Sequence, residues 1–277
     1  MPYFGGKITL GPTIADLMPE HRHYVEPYCG SLAVLLAKRP APMETVNDLD
    51  GHLMTFWRVL RDRPAELERV CELTPHSRAE HAAAFNLPDE LDDLEIARRV
   101  WVQLTQGRSS QRRSTSGWRQ YMKAAGDTSL PDYLTGYARR IPPCAQRLHD
   151  VSLECMPALD IIAKYGAQPD ALLYVDPPYP KSVRTKSSSA YAHEMRDDAS
   201  HRELADAMHS ARAAVVLSGY ASELYDLELY AGWHRHTMSS ATGQSGRWSA
   251  RVEVLWSNRP IGAQRPLFEH AKTAHDS

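Results

Sequence analysis

Two short strand-like segments joined by a brief helix, near the start of the chain, most constrain its fold. Residues 23–25 (His-Tyr-Val) and 44–46 (Glu-Thr-Val) have the length and the β-branched or aromatic content of strands. Between them, residues 31–38 are mostly small and apolar, and Arg39-Pro40 ends the predicted helix. Strand, helix and strand with short connections form a βαβ unit. We therefore predict an α/β fold with a Rossmann-like parallel sheet and a binding crevice at the strands' carboxyl ends.

Further sheet elements are predicted in the second half of the chain. Residues 172–175 (Leu-Leu-Tyr-Val) and 213–218 are apolar runs typical of buried strands, and residues 252–257 form a terminal strand. Residues 201–211 have the periodicity of a helix. The sheet domain is therefore predicted to be discontinuous, comprising residues 1–50 and 151–262, followed by a tail at 263–277.

The segment between the two halves of the sheet has a helical pattern. Its apolar residues recur three and four positions apart, and they include Trp57 and Trp101, for which we expect core packing. The centre of the segment, residues 107–117, is rich in Gly, Ser and Arg, so we expect an exposed loop or hairpin there. We predict an inserted, mostly helical lobe over residues 51–150.

The tetrapeptide Asp176-Pro177-Pro178-Tyr179 directly follows the buried strand at 172–175. The exocyclic amine of a nucleobase is a poor nucleophile because its lone pair is delocalised into the ring. The Asp176 carboxylate and the Pro177 carbonyl could both accept hydrogen bonds from such an amine and draw it toward a tetrahedral geometry. Tyr179 offers a ring on which a base can stack. Read alone, the motif could also be an ordinary turn after a strand.

Four motifs in this order carry a resemblance to a known family. They are Tyr3-Phe4-Gly5-Gly6-Lys7, Glu26-Pro27-Tyr28-Cys29-Gly30-Ser31 after the first strand, Asn47-Asp48 after the second, and Asp176 to Tyr179. Over roughly residues 1 to 260 the chain resembles the Dam-like DNA adenine-N6 methyltransferases. The resemblance implies a Rossmann-like methyltransferase sheet with a helical target-recognition lobe. It also implies that a methyl group passes from S-adenosylmethionine to the N6 amine of a flipped adenine in double-stranded DNA.

The resemblance also assigns roles residue by residue. Asp176, Pro177 and Tyr179 take the catalytic positions. Asp48 matches the acidic residue that binds the adenosine part of the cofactor, although an aspartate there could also cap the helix that begins near Gly51. The implied cofactor-binding residues are Tyr3, Phe4, Gly5, Lys7, Glu26, Pro27, Tyr28, Gly30, Ser31, Asp48 and Asp176.

Leu32 departs from the family pattern. The family usually carries a second glycine two residues after the position of Gly30, and this chain has Leu32 there. The leucine side chain could crowd the cofactor or turn into the sheet. We expect cofactor binding to survive because the other motifs are present.

Basic residues concentrate in the predicted lobe. The chain has a formal net charge of −2, yet residues 96–126 contain no acidic residue. The candidates for DNA contact in and after this segment are Arg108, Arg112, Arg113, Trp118, Arg119, Lys181 and Arg184. Lys181 and Arg184 follow the catalytic motif and could close over a flipped base. The alternative for the basic run is a charged face exposed to water.

Composition narrows the remaining possibilities. No apolar run approaches the roughly 18–20 residues that span a bilayer, and the first residues lack a secretory signal, so we expect a cytoplasmic protein without membrane contact. The cysteines and histidines lack the spacing of a zinc site, so we expect no metal. We see no signal for a protein partner.

Two alternatives to adenine methylation stay open at this point. The chain could methylate cytosine N4 or another planar amine, although those activities more often resemble Ser-Pro-Pro-Tyr or Asn-Pro-Pro-Tyr motifs. It could also be a catalytically inactive DNA-binding homologue in which Leu32 marks a damaged cofactor turn.

Overall fold

A computed structural model describes residues 6–88, 90–108, 117–120, 129–179, 195, 197–244 and 247–262. Within 239–251 it describes the backbone of the strands but not the side chains. No helix in these ranges is long and apolar enough to cross a membrane. The same ranges hold no group of three or more His, Cys, Asp or Glu side chains arranged to bind a metal ion.

The described residues form a seven-stranded sheet in the order β3-β2-β1-β4-β5-β7-β6. The first five strands pair in parallel, whereas β7 pairs antiparallel with both β5 and β6. The strands are β1 (His23–Glu26), β2 (Met43–Asn47), β3 (Val151–Glu154), β4 (Ala171–Val175), β5 (Ala214–Tyr220), β6 (His234–Gln244) and β7 (Arg247–Ser257). The predicted α/β fold with a Rossmann-like, mostly parallel sheet is confirmed.

The strand order changes direction between β1 and β4. Val25 of β1 pairs with Thr45 of β2 on one side and with Leu173 of β4 on the other. The chain thus builds outward from β1 to β3 and then returns to place β4 against β1. Such a switch point opens a crevice at the strands' carboxyl ends, and Glu26 and Asp176 lie at the two ends that border it.

Helices cover both faces of the sheet. They are α1 (Gly11–Leu17), α2 (Ala33–Ala37), α9 (Ala158–Gly166) and α10 (Asp198–His209), with a π-helical segment at Leu224–Leu229. Gly11 allows α1 to pack closely on α2, because a Cβ at that position would lie 2.8 Å from the carbonyl oxygen of Ala33. The crevice therefore opens at the edge of a layered core.

Most of the described residues between β2 and β3 are helical, as predicted. The helices are α3 (Gly51–Asp62), α4 (Pro64–Glu72), α5 (Arg78–Ala83), α6 (Asp93–Gln106), α7 (Leu130–Ala138) and α8 (Ile141–Leu148). Trp57 and Trp101 are 1% exposed and belong to the core, as expected. That core is continuous with the one under α2 and β2, and the boundaries of a separate lobe at 51 and 150 stay a prediction.

Two strands lie outside the sequence prediction. β3 is a four-residue edge strand in which only Val151 is buried, so it lacks an apolar pattern. β6 begins with exposed residues and contains mostly polar ones, and it pairs with β7 over its full length. β7 itself begins at Arg247, five residues before the predicted start at 252.

Candidate active site

The tetrapeptide after β4 sets the centre of the candidate site. All residues of β4 are buried, and so are Pro177, Pro178 and Tyr179. The side chain of Asp176 is 19% exposed. Among the side chains of this motif, the Asp176 carboxylate is therefore the one that a substrate in the crevice can reach.

Lys7 binds the Asp176 carboxylate through both of its oxygens. The Nζ atom donates to Oδ1 at 2.8 Å and to Oδ2 at 2.9 Å, and it also donates to the hydroxyl of Tyr179. Tyr179 in turn donates to Asp176 Oδ1 at 3.3 Å. Because Lys7 is 5% exposed, this ion pair is largely shielded from solvent.

A second carboxylate, that of Glu253 on β7, completes this group. Its Oε1 atom lies 3.4 Å from Lys7 Nζ and accepts hydrogen bonds from Tyr179 at 3.2 Å and from the Ser218 hydroxyl at 2.9 Å. Glu253 is 2% exposed. One lysine thus lies between two buried carboxylates that come from different strands.

The surroundings of Asp176 change its acidity. Burial raises the pKa of Asp176 to about 6, the Lys7 ammonium opposes this rise, and the Glu253 carboxylate adds to it. Burial disfavours the charged form of Lys7, yet Asp176 and Glu253 outweigh that effect and raise the pKa of Lys7 well above its usual value. Asp176 is therefore mostly ionised at pH 7 and becomes protonated under mildly acidic conditions.

Glu26 brings a third buried carboxylate to the neighbouring strand end. It is 3% exposed and accepts a hydrogen bond from the Tyr24 hydroxyl at 3.0 Å. Burial raises the pKa of Glu26 well above its usual value, against the opposing effect of the Tyr24 hydrogen bond, and nearby Asp176 raises it further. The crevice therefore contains several buried carboxyl groups, and a ligand that carries positive charge would favour their ionised form.

The turn after β1 is tied to the end of β2. The amide of Asn47 donates to the Pro27 carbonyl at 2.9 Å, and the Cys29 N–H donates to the Asn47 carbonyl at 2.8 Å. The Gly30 N–H donates to Asp48 Oδ2 at 3.1 Å, and Gly30 has a φ of 42° that glycine adopts without strain. These bonds hold the turn in one conformation beside Asp48.

Asp48 does not cap α3. The Asp50 carboxylate accepts from the Leu53 N–H at 3.1 Å and is the N-cap, so the expectation that Asp48 could serve as the cap is wrong. Asp48 Oδ1 accepts instead from the Asp50 N–H at 3.0 Å. Its carboxylate is therefore held by the backbone of two turns, as a ligand-binding carboxylate at a strand end can be.

Leu32 turns into the core. Its side chain is 0% exposed and packs in the core cluster, and its backbone has the left-handed values φ 56° and ψ 26°. Of the two orientations considered, the structure thus has the one that faces the protein interior. The position has the conformation for which glycine is favoured, even though the residue is leucine.

The other predicted cofactor residues lie around the same turn. Tyr28 is partly buried, and its hydroxyl contacts the sulfur of Met195 at 3.4 Å. Ser31 is buried and lines, with Trp57, a groove of roughly 200 Å³ that α1, α2, α3, α7 and α8 border. Pro27 is buried directly after Glu26. Each of these residues belongs to the strand end or to the turn that borders the crevice.

In the segment between β2 and β3, residues 107 and 118 form an isolated β-bridge. Gly107 and Trp118 form an antiparallel bridge, and the Arg108 N–H donates to the Gly117 carbonyl at 3.0 Å. The Trp118 ring stacks on His76 with centroids 4.4 Å apart and lies 5.0 Å from the guanidinium of Arg78. Residues 109–116 lie outside the described residues, so the expectation of an exposed loop or hairpin at 107–117 stays a prediction.

Arg108 and Arg119 differ in their surroundings. Arg108 is exposed. Arg119 donates to the Gly107 carbonyl at 3.2 Å, and its guanidinium lies 5.2 Å from the Tyr133 ring. Arg119 therefore stabilises the backbone at the Gly107–Trp118 bridge, whereas the side chain of Arg108 is available to a ligand.

Comparison with protein families identifies the chain. A family model described as D12 class N6 adenine-specific DNA methyltransferase matches residues 3–94 and 139–239. The chain belongs to this family. A search of curated proteins returned no match. The protein is thus an adenine-specific DNA methyltransferase, and its substrate is DNA.

The matched segments relate this methyltransferase to its site. They include the turn after β1, the end of β2 and the Asp176 tetrapeptide. The gap between them, residues 95–138, contains the Gly107–Trp118 bridge and Arg108. Of the predicted DNA-contact residues, Lys181 and Arg184 lie in the matched part of the chain, and the others lie in this gap.

Several predicted site residues of the methyltransferase lie outside the described residues. They are Tyr3, Phe4 and Gly5 of the N-terminal motif, Arg112 and Arg113 of the basic segment, and Lys181 and Arg184 after the catalytic motif. Their assignments stay predictions.

Glu253 was missed at the level of sequence. A signal was present, since Glu253 is the one charged residue within Val252-Glu-Val-Leu-Trp256, a run otherwise typical of a buried strand. Its neighbour across the sheet, Tyr220, lies with its ring 4.6 Å from that of Tyr179. Both contacts depend on the pairing of β5 with β7, which the sequence pattern alone does not reveal.

Proposed function

We propose that the methyltransferase transfers a methyl group from S-adenosylmethionine to the N6 amine of an adenine flipped out of double-stranded DNA. The observation that supports this most directly is the partly exposed Asp176 carboxylate, held by Lys7 at the strand switch point. Methyltransferases of this family generally use S-adenosylmethionine, and their substrate is adenine in DNA.

Asp176 and Pro177 would activate the amine. Lys7 uses one acceptor position on each oxygen of Asp176 and Tyr179 uses a second one on Oδ1, so about one of the four positions of the carboxylate, on Oδ2, stays available to an N6 hydrogen. The Pro177 carbonyl would accept the second hydrogen. With both hydrogens held, the nitrogen lone pair is directed out of the ring system and can form the new bond.

The residues present fit the cofactor in charge and position. Glu26, Asp176 and Glu253 are buried carboxyl groups near the ammonium of Lys7, and a ligand with a sulfonium and an amino group would favour their ionised forms. When bound, S-adenosylmethionine supplies an electrophilic methyl carbon, so the protein's task is to align the amine with it. Gly30 and Ser31 would hold the methionine part, and Asp48 the ribose hydroxyls.

Tyr179 has a more restricted role here than stacking alone would imply. The residue is 6% exposed, and its hydroxyl bonds to Lys7, Asp176 and Glu253. A base can stack on its ring only after side chains around it move. In the present arrangement Tyr179 braces Asp176 through its hydroxyl.

The lobe would hold the DNA. Arg108 is exposed beside the Gly107–Trp118 bridge and would contact phosphate. The ring of Trp118, with Arg78 beside it, would lie near the bases. Base flipping is required because the N6 amine cannot reach the Asp176 crevice from within a stacked duplex.

Incubation with labelled S-adenosylmethionine and mixed-sequence DNA, followed by nucleoside analysis, tests the proposal. We expect N6-methyladenine from the wild type, and at least about a 100-fold lower rate from Asp176→Asn. Asp170→Asn is a matched control, because Asp170 precedes β4 at the opposite edge of the sheet and its side chain is 51% exposed. Methylcytosine, no methylation by the wild type, or full activity of Asp176→Asn would contradict it.

A further inference from the structure

Glu253 occupies a position where a carboxylate is costly. It lies on β7 opposite Tyr220 of β5, at the carboxyl edge of β5, and is 2% exposed. The next residues, Val254 and Leu255, are 0% exposed. A buried carboxylate must recover the loss of hydration through close partners, and an uncharged side chain of similar shape would avoid that loss.

The contacts of Glu253 converge on the catalytic group. Its Oε1 atom accepts from Tyr179 and from Ser218, and it lies 3.4 Å from Lys7 Nζ. Lys7 and Tyr179 are also the two side chains that bind Asp176. Glu253 therefore contacts both Lys7 and Tyr179, the side chains that contact Asp176.

We propose that Glu253 is a positioning residue, which sets the orientation of Lys7 and Tyr179 around Asp176 and strengthens Asp176 as a hydrogen-bond acceptor for the adenine amine. This inference rests on the proposed function, because it assigns Glu253 a role through Asp176. Glu253 acts in two ways, through geometry and through charge.

The geometric effect arises because Asp176 and Glu253 share the ammonium of Lys7. Lys7 Nζ lies closer to Asp176, at 2.8 Å, than to Glu253, at 3.4 Å. Nζ is within hydrogen-bond distance of both Asp176 oxygens and also lies beside Glu253, so the two carboxylates share the charge of one ammonium, and Glu253 limits where that ammonium can move. Tyr179 is bridged in the same way, with 3.3 Å to Asp176 and 3.2 Å to Glu253.

The electrostatic effect is that of a like charge. The Glu253 carboxylate raises the pKa of Asp176, so it makes the ionised oxygen more basic and a better acceptor. The ionisable groups that act on Asp176 or on which Asp176 acts are Lys7, Glu26, Tyr174, Tyr179, Tyr225 and Glu253. Among them Lys7 is the cation that opposes Glu253.

The test is the pH profile of kcat for Glu253→Gln, measured with the full-length chain on DNA. We expect kcat to fall about 10- to 100-fold, with the KM for DNA within about threefold of wild type. We also expect the acid limb of the profile to move to lower pH, because a neutral Gln no longer raises the pKa of Asp176. A role in folding alone would leave the acid limb where it is.

Glu44→Gln is the matched control. Glu44 is also a buried strand glutamate paired with a buried lysine, Lys38 at 2.6 Å, but it lies near the amino end of β2, away from the crevice. It should lower thermal stability while leaving kcat within about twofold and the acid limb in place. A wild-type kcat and an unmoved acid limb in Glu253→Gln would overturn the inference.

Glu253→Asp serves if the Gln variant does not fold. It keeps the charge but shortens the side chain, so kcat should fall while the acid limb stays at its wild-type position; a wild-type kcat would overturn the inference.

The Asp176→Asn variant separates this inference from the proposed function. If Asp176→Asn is inactive and the Glu253 variants behave as wild type, only the role of Glu253 fails. If Asp176→Asn is fully active, the proposed function fails.

Discussion

Lys7 donates hydrogen bonds to both carboxylate oxygens of Asp176, at 2.8 and 2.9 Å, from a position 169 residues earlier in the chain. The segment before α1 is thereby joined to the end of β4, across the crevice at the switch point. Since Asp176 is the proposed acceptor for the adenine amine, the lysine controls both its orientation and its charge.

Lys7→Met should lower activity and shift its pH dependence. Burial raises the pKa of Asp176 and Lys7 opposes that rise, so removing the ammonium should raise the pKa above about 6. The acid limb of kcat should then move to higher pH, with a loss of about 100-fold in kcat at pH 7. The pH profile of DNA methylation measures both effects.

The shift for Lys7→Met should be opposite to that for Glu253→Gln. Lys38→Met provides the control, because Lys38 is likewise buried and paired with a buried glutamate, Glu44. It should destabilise the protein without moving the acid limb. An acid limb that stays in place in Lys7→Met would show that Lys7 does not act on Asp176.

The free energy of unfolding of Asp176→Asn should increase relative to that of the wild type as pH rises from 4 to 7. The folded-state pKa of about 6 exceeds the ordinary value of 3.8, so the protonated form favours the fold and ionisation with rising pH opposes it. Above pH 6, the difference between the two free energies of unfolding should have changed by roughly 3 kcal/mol in favour of the variant. Urea unfolding of both proteins across this range measures it. A stability difference that does not change with pH would contradict a buried, weakly acidic Asp176.

Much of the fold could be predicted from sequence because it depends on local pattern. The strands β1, β4 and β5 are short buried runs, and the residues with chemistry follow them directly, so the crevice was expected at Glu26 and Asp176. The exposed start of β6 left no apolar alternation, so its pairing with β7 was not expected. The carboxylate of Glu253 reaches the site through the pairing of β7 with β5, which the sequence pattern did not indicate either.

The features of the site that could not be predicted depend on contacts between residues far apart in sequence. Lys7 was predicted from its motif as a cofactor residue, yet its Nζ atom lies against Asp176 and Glu253. No property of residues near Lys7 in sequence indicates these partners. The orientation of Leu32 was likewise undecided, because the left-handed backbone that turns its side chain into the core depends on packing around α2.

Arg108→Ala should weaken DNA binding and reduce its salt dependence. Arg108 is exposed beside the Gly107–Trp118 bridge, so it is available to pair with a phosphate. Losing one phosphate contact should lower the slope of log affinity against log salt by about one. Titrations at several salt concentrations measure it. Arg22→Ala, whose side chain is 74% exposed before β1 at the opposite edge of the sheet, should leave the slope unchanged. A wild-type slope for Arg108→Ala would mean that Arg108 only faces water.

Replacing Leu32 should reveal the strain in the turn after β1. Leu32→Ala and Leu32→Gly both remove a fully buried side chain, so each should lower the free energy of unfolding by about 2–4 kcal/mol. At φ 56°, however, alanine keeps the steric strain that glycine relieves. Leu32→Gly should therefore be more stable than Leu32→Ala by about 0.5–1 kcal/mol, the reverse of their usual order in a helix.

Cofactor affinity should change little in either variant. The Leu32 side chain packs in the core cluster, so removing it opens no space in the crevice beside Gly30 and Asp48. Calorimetry should give an affinity for S-adenosylmethionine within about threefold of wild type for Leu32→Gly. A gain of tenfold or more would mean that the leucine crowds the cofactor despite its burial. If Leu32→Ala were instead the more stable of the two, the left-handed conformation at this position would be in error.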